Sequence, residues 1–245
     1  MAILANATQP APRAPVDGAV FDWAVPAQWK PAIASLFPER SDDKTLAAEM
    51  RAQFSALRAY HAARPRDVSS YRLRGIRPLT RDDWQDAVYD AFLADDPTLS
   101  VVSMVREAAA TQLDWIRNSG SRVHFFADAR YLTERDGYHL IYGSLSLLAV
   151  AIRVDNALGT DFKTTLRRRG EPTIFVCDVP TVEMEDVHLA ELARCLRRRV
   201  QNPSADPLLN FRFSIGCALR PADILGHFHP QRAKDVLYGH DMGAV

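Results

Sequence analysis

The sequence has no excess charge of either sign, since thirty basic side chains balance thirty acidic ones over 245 residues. That argues against a dedicated nucleic-acid binder, whose affinity rests on surplus positive charge. Cysteine is scarce as well. Cys177, Cys195 and Cys217 are odd in number and widely spaced, which excludes a disulfide framework and a cysteine-based metal ribbon. The longest apolar block, Leu140 to Ile152, falls short of the roughly 20 residues that span a bilayer. The amino-terminal stretch MAILANATQPAPRAPVDG has no basic region followed by an apolar one, so no secretory signal is expected and a reducing, cytoplasmic setting is the default. Three catalytic signatures are missing: G-x-S-x-G, the P-loop and G-x-G-x-x-G. Gly143-Ser144 has neither the spacing nor the second glycine of a nucleophile elbow.

What is present reads as an α+β protein, with a helical N-terminal part packed on a mixed or antiparallel sheet. Residues 1–40 form an arm rich in Ala and Pro, in which Phe21, Trp23 and Trp29 are candidate anchors; residues 41–245 form a single α+β domain. Ser41 or Asp42 caps a first helix, and Leu46, Met50, Phe54, Leu57 and Tyr60 continue its period towards Pro65. Tyr71 and Leu73 alternate with Arg72 and Arg74, as in a half-buried strand ended by Gly75 and Pro78. Thr80 and Asp83 have capping-box spacing ahead of a helix that carries Trp84, Val88 and Phe92. Leu99, Val102, Val105, Ala109, Leu113 and Ile116 mark another helix, stopped at Asn118-Ser119-Gly120.

The densest apolar signal lies between Ser121 and Pro180. Strands are expected at Arg122–Phe126 and Thr173–Val179, with a buried helix at Leu140–Ile152 between them. A helix at Thr181–Val200 carries Glu183, Glu185 and Asp186 in its first turn and Arg197, Arg198 and Arg199 in its last, the arrangement its dipole favours. Gln201 to Pro207 reads as a loop. In Leu209–Leu219, Phe211, Phe213, Ile215, Cys217 and Leu219 face one way, and Asn210, Arg212, Ser214, Gly216 and Ala218 the other. Polar groups set among apolar surface are costly unless paired or useful, which singles out His124, Tyr142, Ser144 and Glu171. The runs Arg167–Arg169 and Arg197–Arg199 read as helix C-termini rather than phosphate patches. His227, His229 and His240 make a minor candidate for a metal site of a metal-dependent hydrolase.

The phrases YRLRGIRPL, HFFADARYL, YHLIYGS, TIFVCDVP and FRFSIGCALRPADILG, taken in order, resemble the layout of ADP-ribosyltransferases over about 160 residues. The resemblance implies an NAD-using transferase or NAD glycohydrolase acting on a macromolecular or small-molecule acceptor, with NAD as a substrate. It makes Arg72 or Arg74, His124, Tyr138 and Ser144 candidates for NAD binding. Tyr142 would stack on the nicotinamide, and Glu171 would be the acid. Where the family's closing strand presents a catalytic glutamate, this chain has Asn210 and Arg212. A non-catalytic interaction or regulatory module is the alternative that this departure leaves open.

Overall fold

The computed structural model describes residues 19–25, 42–94, 98–118, 121–202, 208–236 and 241–242. Most of the proline-rich arm, with Trp29, the loop 203–207 and His240 lie outside the described residues. Described helices are α1 (Asp43–Gln53), α2 (Ser69–Arg74), α3 (Arg81–Val88), α4 (Leu99–Asn118), α5 (Ala129–Glu134), α6 (Tyr138–Tyr142), α7 (Leu145–Leu158), α8 (Phe162–Arg168) and α9 (Asp186–Gln201). The strands are β1 (Ala19–Phe21), β2 (Phe54–Ala63), β3 (Val123–Phe126), β4 (Thr173–Pro180), β5 (Arg212–Ile215), β6 (Ile224–Phe228) and a small pair, β7 (Ala233–Lys234) with β8 (Asp241–Met242).

The main sheet runs β5-β3-β2-β4-β6, with every neighbour antiparallel, and β1 lies parallel to the first half of β2. One face carries Leu57, Phe125, Phe175 and Phe213 against Met50 of α1 and Leu189, Ala190 and Leu196 of α9. The other carries Ala62, Phe126 and Ile174 against Trp84, Val105, Leu140, Leu148 and Leu166 of the remaining helices. Phe21 and Trp23 are buried and anchor the described part of the arm. Both faces are therefore covered, and the chain is α+β.

Several boundaries differ from the sequence reading, each for a physical reason. The expected first helix stops at Gln53, and Phe54–Ala63 is the central strand. A strand buried on both faces shows no clean alternation, so Phe54, Leu57 and Tyr60 simulate a helical period. Residues 71–74, expected as strand, belong to α2. Asp67 nucleates that helix by accepting from the Ser69 amide at 2.8 Å and the Ser69 hydroxyl at 2.6 Å. The apolar block is two helices, broken at Gly143 (φ 88°), after which Ser144 caps α7 by accepting from the Leu147 amide at 3.1 Å. A 3₁₀ turn at Thr181–Glu183 precedes α9, which begins only at Asp186. The last long strand narrows to Arg212–Ile215.

The local signals with a single-residue mechanism appear as read. Asp42 accepts from the Thr45 amide at 2.9 Å, and Thr80 and Asp83 form a reciprocal capping box.

Candidate functional site

The sheet is tied unevenly, and a cleft opens where it is weakest. β2 and β4 pair over eight positions, from Ala56 with Pro180 to Ala63 with Thr173. β3 and β5 pair over four. Between β2 and β3 one pair is formed, Tyr60 with Phe126. Beyond it the strands part, and a cleft of about 870 Å³ lies between the end of β2, the start of β3, α2, and the α6–α7 turn. That volume suits a nucleotide-sized ligand.

On the α1/α9 face, His61 sits at the centre of a ladder of rings that crosses five strands. The register pairs Phe213 with Phe125, Phe175 with His61 and Phe175 with His227, and the His61 and Phe125 ring centroids are 5.8 Å apart. Tyr71 of α2 stacks on Phe175 at 4.4 Å, and both His61 and Tyr71 line the cleft. His61 Nδ1 is 3.0 Å from the carbonyl oxygen of His124. A carbonyl only accepts, so Nδ1 carries the proton. Burial lowers the pKa of this ring, which keeps it neutral at pH 7 with Nε2 as an acceptor.

The opposite face supplies the other wall. His124, Phe126, Arg212 and Ser214 share it by register, and α6 adds Tyr138 and His139. Burial pushes the Tyr138 hydroxyl up to about 12, and burial, reinforced by nearby His61, His124 and Arg212, pushes His139 down to about 3. Burial also lowers His124 and His188, with Arg122 acting in the same direction on both. The four cleft histidines are thus neutral donors and acceptors rather than cations near pH 7.

Fixed charge in the cleft comes from arginine. Among the described residues, Arg74, Arg77, Arg122 and Arg212 line it, against one carboxylate, Asp83. Asp83 is already committed: it accepts from Thr80 Oγ1 at 2.6 Å and lies 3.5 Å from Arg77, contacts that hold its pKa below the usual carboxylate value. Arg122 is committed too, to the Ser214 hydroxyl at 2.8 Å and Glu185 at 2.5 Å. Arg74 and Arg212 are both exposed, with Asp83 within electrostatic reach of Arg74 and Asp136 within that of Arg212.

Of the candidates singled out by sequence, Arg74, His124, Tyr138 and Ser144 converge on this cleft. Three do not line it. Arg72 points to His227 Nδ1, 3.3 Å away. Glu171 is exposed at the start of β4, 3.6 Å from His229 Nδ1. Tyr142 is 1 % exposed and packs in the helical core, so its ring is not at the mouth of this cleft. Among the described residues no group of three metal-ligand side chains assembles; the His227 and His229 rings are adjacent, 5.2 Å apart.

Sequence reasoning passed over His61, Tyr71, Arg122, His139 and His188. For His61 the signal is readable only once Phe54–Ala63 is known to be a strand: Leu57, Ala59, His61 and Ala63 then share one face, on which His61 is the polar ring. Comparison with protein-family models, with curated proteins and with solved structures finds no match.

Proposed function

We propose that the cleft binds an NAD-type dinucleotide, in keeping with the resemblance to ADP-ribosyltransferases. The observation that carries this reading is the charged lining of the parted β2–β3 cleft, four arginines against a carboxylate that is already bonded. Guanidinium groups bind phosphate oxygens bidentately, and Arg74 holds the pyrophosphate in this reading. Tyr138 and Tyr71, the latter backed by Phe175, offer aromatic surface to a base. Neutral His61, through Nε2, accepts from a ribose hydroxyl. Ser144 keeps its O–H as a donor, because the helix cap uses only its oxygen lone pair.

Transfer of ADP-ribose, or NAD hydrolysis, further needs an anion beside the oxocarbenium-like ribose. The carboxylates in question are placed unfavourably: Asp83 is held by Thr80 and Arg77, and Glu171 lies outside the cleft lining. That observation favours, as the second reading, a non-catalytic module that binds the nucleotide and signals to a partner.

Isothermal titration with NAD and ADP-ribose tests the binding. Arg74→Ala should weaken it by roughly 1.5–3 kcal/mol, the contribution of a charged hydrogen bond. Absence of binding at millimolar ligand would end the nucleotide reading. Release of nicotinamide from NAD, followed by chromatography, separates transferase or glycohydrolase from binding module.

A further inference from the structure

The nucleotide reading leaves open which ligand of that class the cleft prefers, and the charge at one position decides it. Arg212 pairs in register with Phe126 and lies on the cleft face of β5, one step along that face from Ser214. It lines the cleft, and its charge acts on His124, Asp136, Tyr138 and His139. Three of these line the cleft, so the guanidinium serves the wall built by β3 and α6. Asp136 is the carboxylate within its reach. It does not line the cleft, so Arg212 and not its counter-charge faces the solvent space.

NAD carries a fixed positive charge on its nicotinamide ring, and departure of that ring leaves positive charge on the ribose. A site that receives this end needs negative or neutral walls. Here the wall carries Arg212, with Arg122 behind it already bonded to Ser214 and Glu185. NADH has the same shape without the ring charge, and ADP-ribose replaces the ring with a hydroxyl.

Resting on the nucleotide reading above, we infer that Arg212 makes the cleft selective for dinucleotides without a cationic base, so that NADH and ADP-ribose are preferred over NAD. Like charges at a partly solvated contact repel by an amount that corresponds to about tenfold in affinity. Arg212 is exposed, and the core contacts around it come from Phe213 and Ile215 of β5 and from Phe211 just before it, so its replacement leaves the packing in place.

The experiment is titration calorimetry of the full chain with NAD, NADH and ADP-ribose, on wild type, Arg212→Gln and Arg212→Glu. Wild type should bind NADH and ADP-ribose about tenfold more tightly than NAD. The NADH-to-NAD ratio should fall to about one in Arg212→Gln and invert in Arg212→Glu. Equal binding of NAD and NADH by wild type, or a ratio that Arg212→Gln does not move, overturns the role of Arg212 while the nucleotide reading stands. If none of the three ligands binds wild type, both fall together. Circular dichroism of each variant confirms that the comparison is between folded proteins, and Arg212→Gln alone suffices should Arg212→Glu not fold.

Discussion

Gly75 joins the site to the sheet, and its replacement is the sharpest test of the architecture. It ends α2 at φ 75°, ψ −172°, directly after Arg74, with its amide bonded to the Tyr71 carbonyl at 2.8 Å. That backbone region is accessible essentially to glycine alone, and another residue there costs about 1–3 kcal/mol. Space is a second constraint. A Cβ on Gly75 would lie 2.0 Å from the carbonyl oxygen of Leu219. That oxygen accepts from the Ile76 amide at 3.0 Å, and the Leu219 amide returns a bond to Ile76 at 2.8 Å. Relief of the clash means giving up this bridge, at about 0.5–1.5 kcal/mol for each bond. Together Gly75→Ala should cost about 3–5 kcal/mol, a fall of about 10 °C in melting temperature for a chain of this size. Gly159→Ala is the control: φ there is 65°, yet a Cβ meets nothing within 4 Å, so it should cost only about 1–2 kcal/mol. Differential scanning fluorimetry of both variants decides the matter. If Gly75→Ala melts within 3 °C of wild type, the bridge does not pin the end of α2 that carries Arg74.

Tyr142→Ala should cost about 3–5 kcal/mol in urea unfolding, as a large-to-small core change, and Tyr142→Phe about 1 kcal/mol; unchanged apo stability in Tyr142→Ala would return that ring to a ligand. His139 is held at about 3 in the folded chain against its ordinary 6.5. The unfolded chain therefore binds the extra proton between those values, so stability is complete above pH 6.5 and falls as pH drops towards 3. His139→Gln should flatten that slope in pH-dependent unfolding, and an unaltered slope would count against the burial argued for the ring. Arg64 donates to the carbonyl oxygens of Arg169 at 2.7 Å and Leu140 at 2.8 Å, and also to that of Arg167. Arg64→Ala should cost about 2–4 kcal/mol and, by loosening α6, weaken ligand binding as well; loss of stability with full affinity would separate α6 from the cleft.

What was legible in the sequence follows from how local each signal is. The Thr80–Asp83 box and the Asp42 cap need only three residues and a backbone amide, and both are present. β3 and β4 announce themselves through compact apolar runs, and α9 through its basic end, although of the three acids expected in its first turn only Asp186 lies there. The α1–β2 junction was not legible. Phe54–Ala63 contains four alanines and no β-branched residue, so neither propensity nor alternation marks it as the central strand, and only pairing with three other strands makes it one. The short helix α2 was hidden for the opposite reason. Tyr71 packs on Phe175 while Arg72, Leu73 and Arg74 are exposed, and one packed position does not define a period that distinguishes a turn and a half of helix from a strand.

The cleft lies a step further from the sequence than any element does, because it is made by pairing that stops. β3 is held to β5 by four register pairs, and β2 to β4 by eight, but the two halves meet at Tyr60–Phe126 and through the His61 side chain on the His124 carbonyl. Each half is encoded by apolar residues that pack on helices, whereas the gap between them is encoded by nothing local. The arginines could be counted in the sequence, and Arg212 stood out as the residue on the face where an acid was expected. That Arg74 from α2, Arg122 from β3 and Arg212 from β5 share one solvent space follows only from where β2 and β3 separate. The same reasoning explains why Glu171 drew attention without reaching the site. It stands two residues before β4 in sequence, where β4 is paired with β2 at Ala63 and with β6 near Phe228, so that β2 lies between it and the gap to β3.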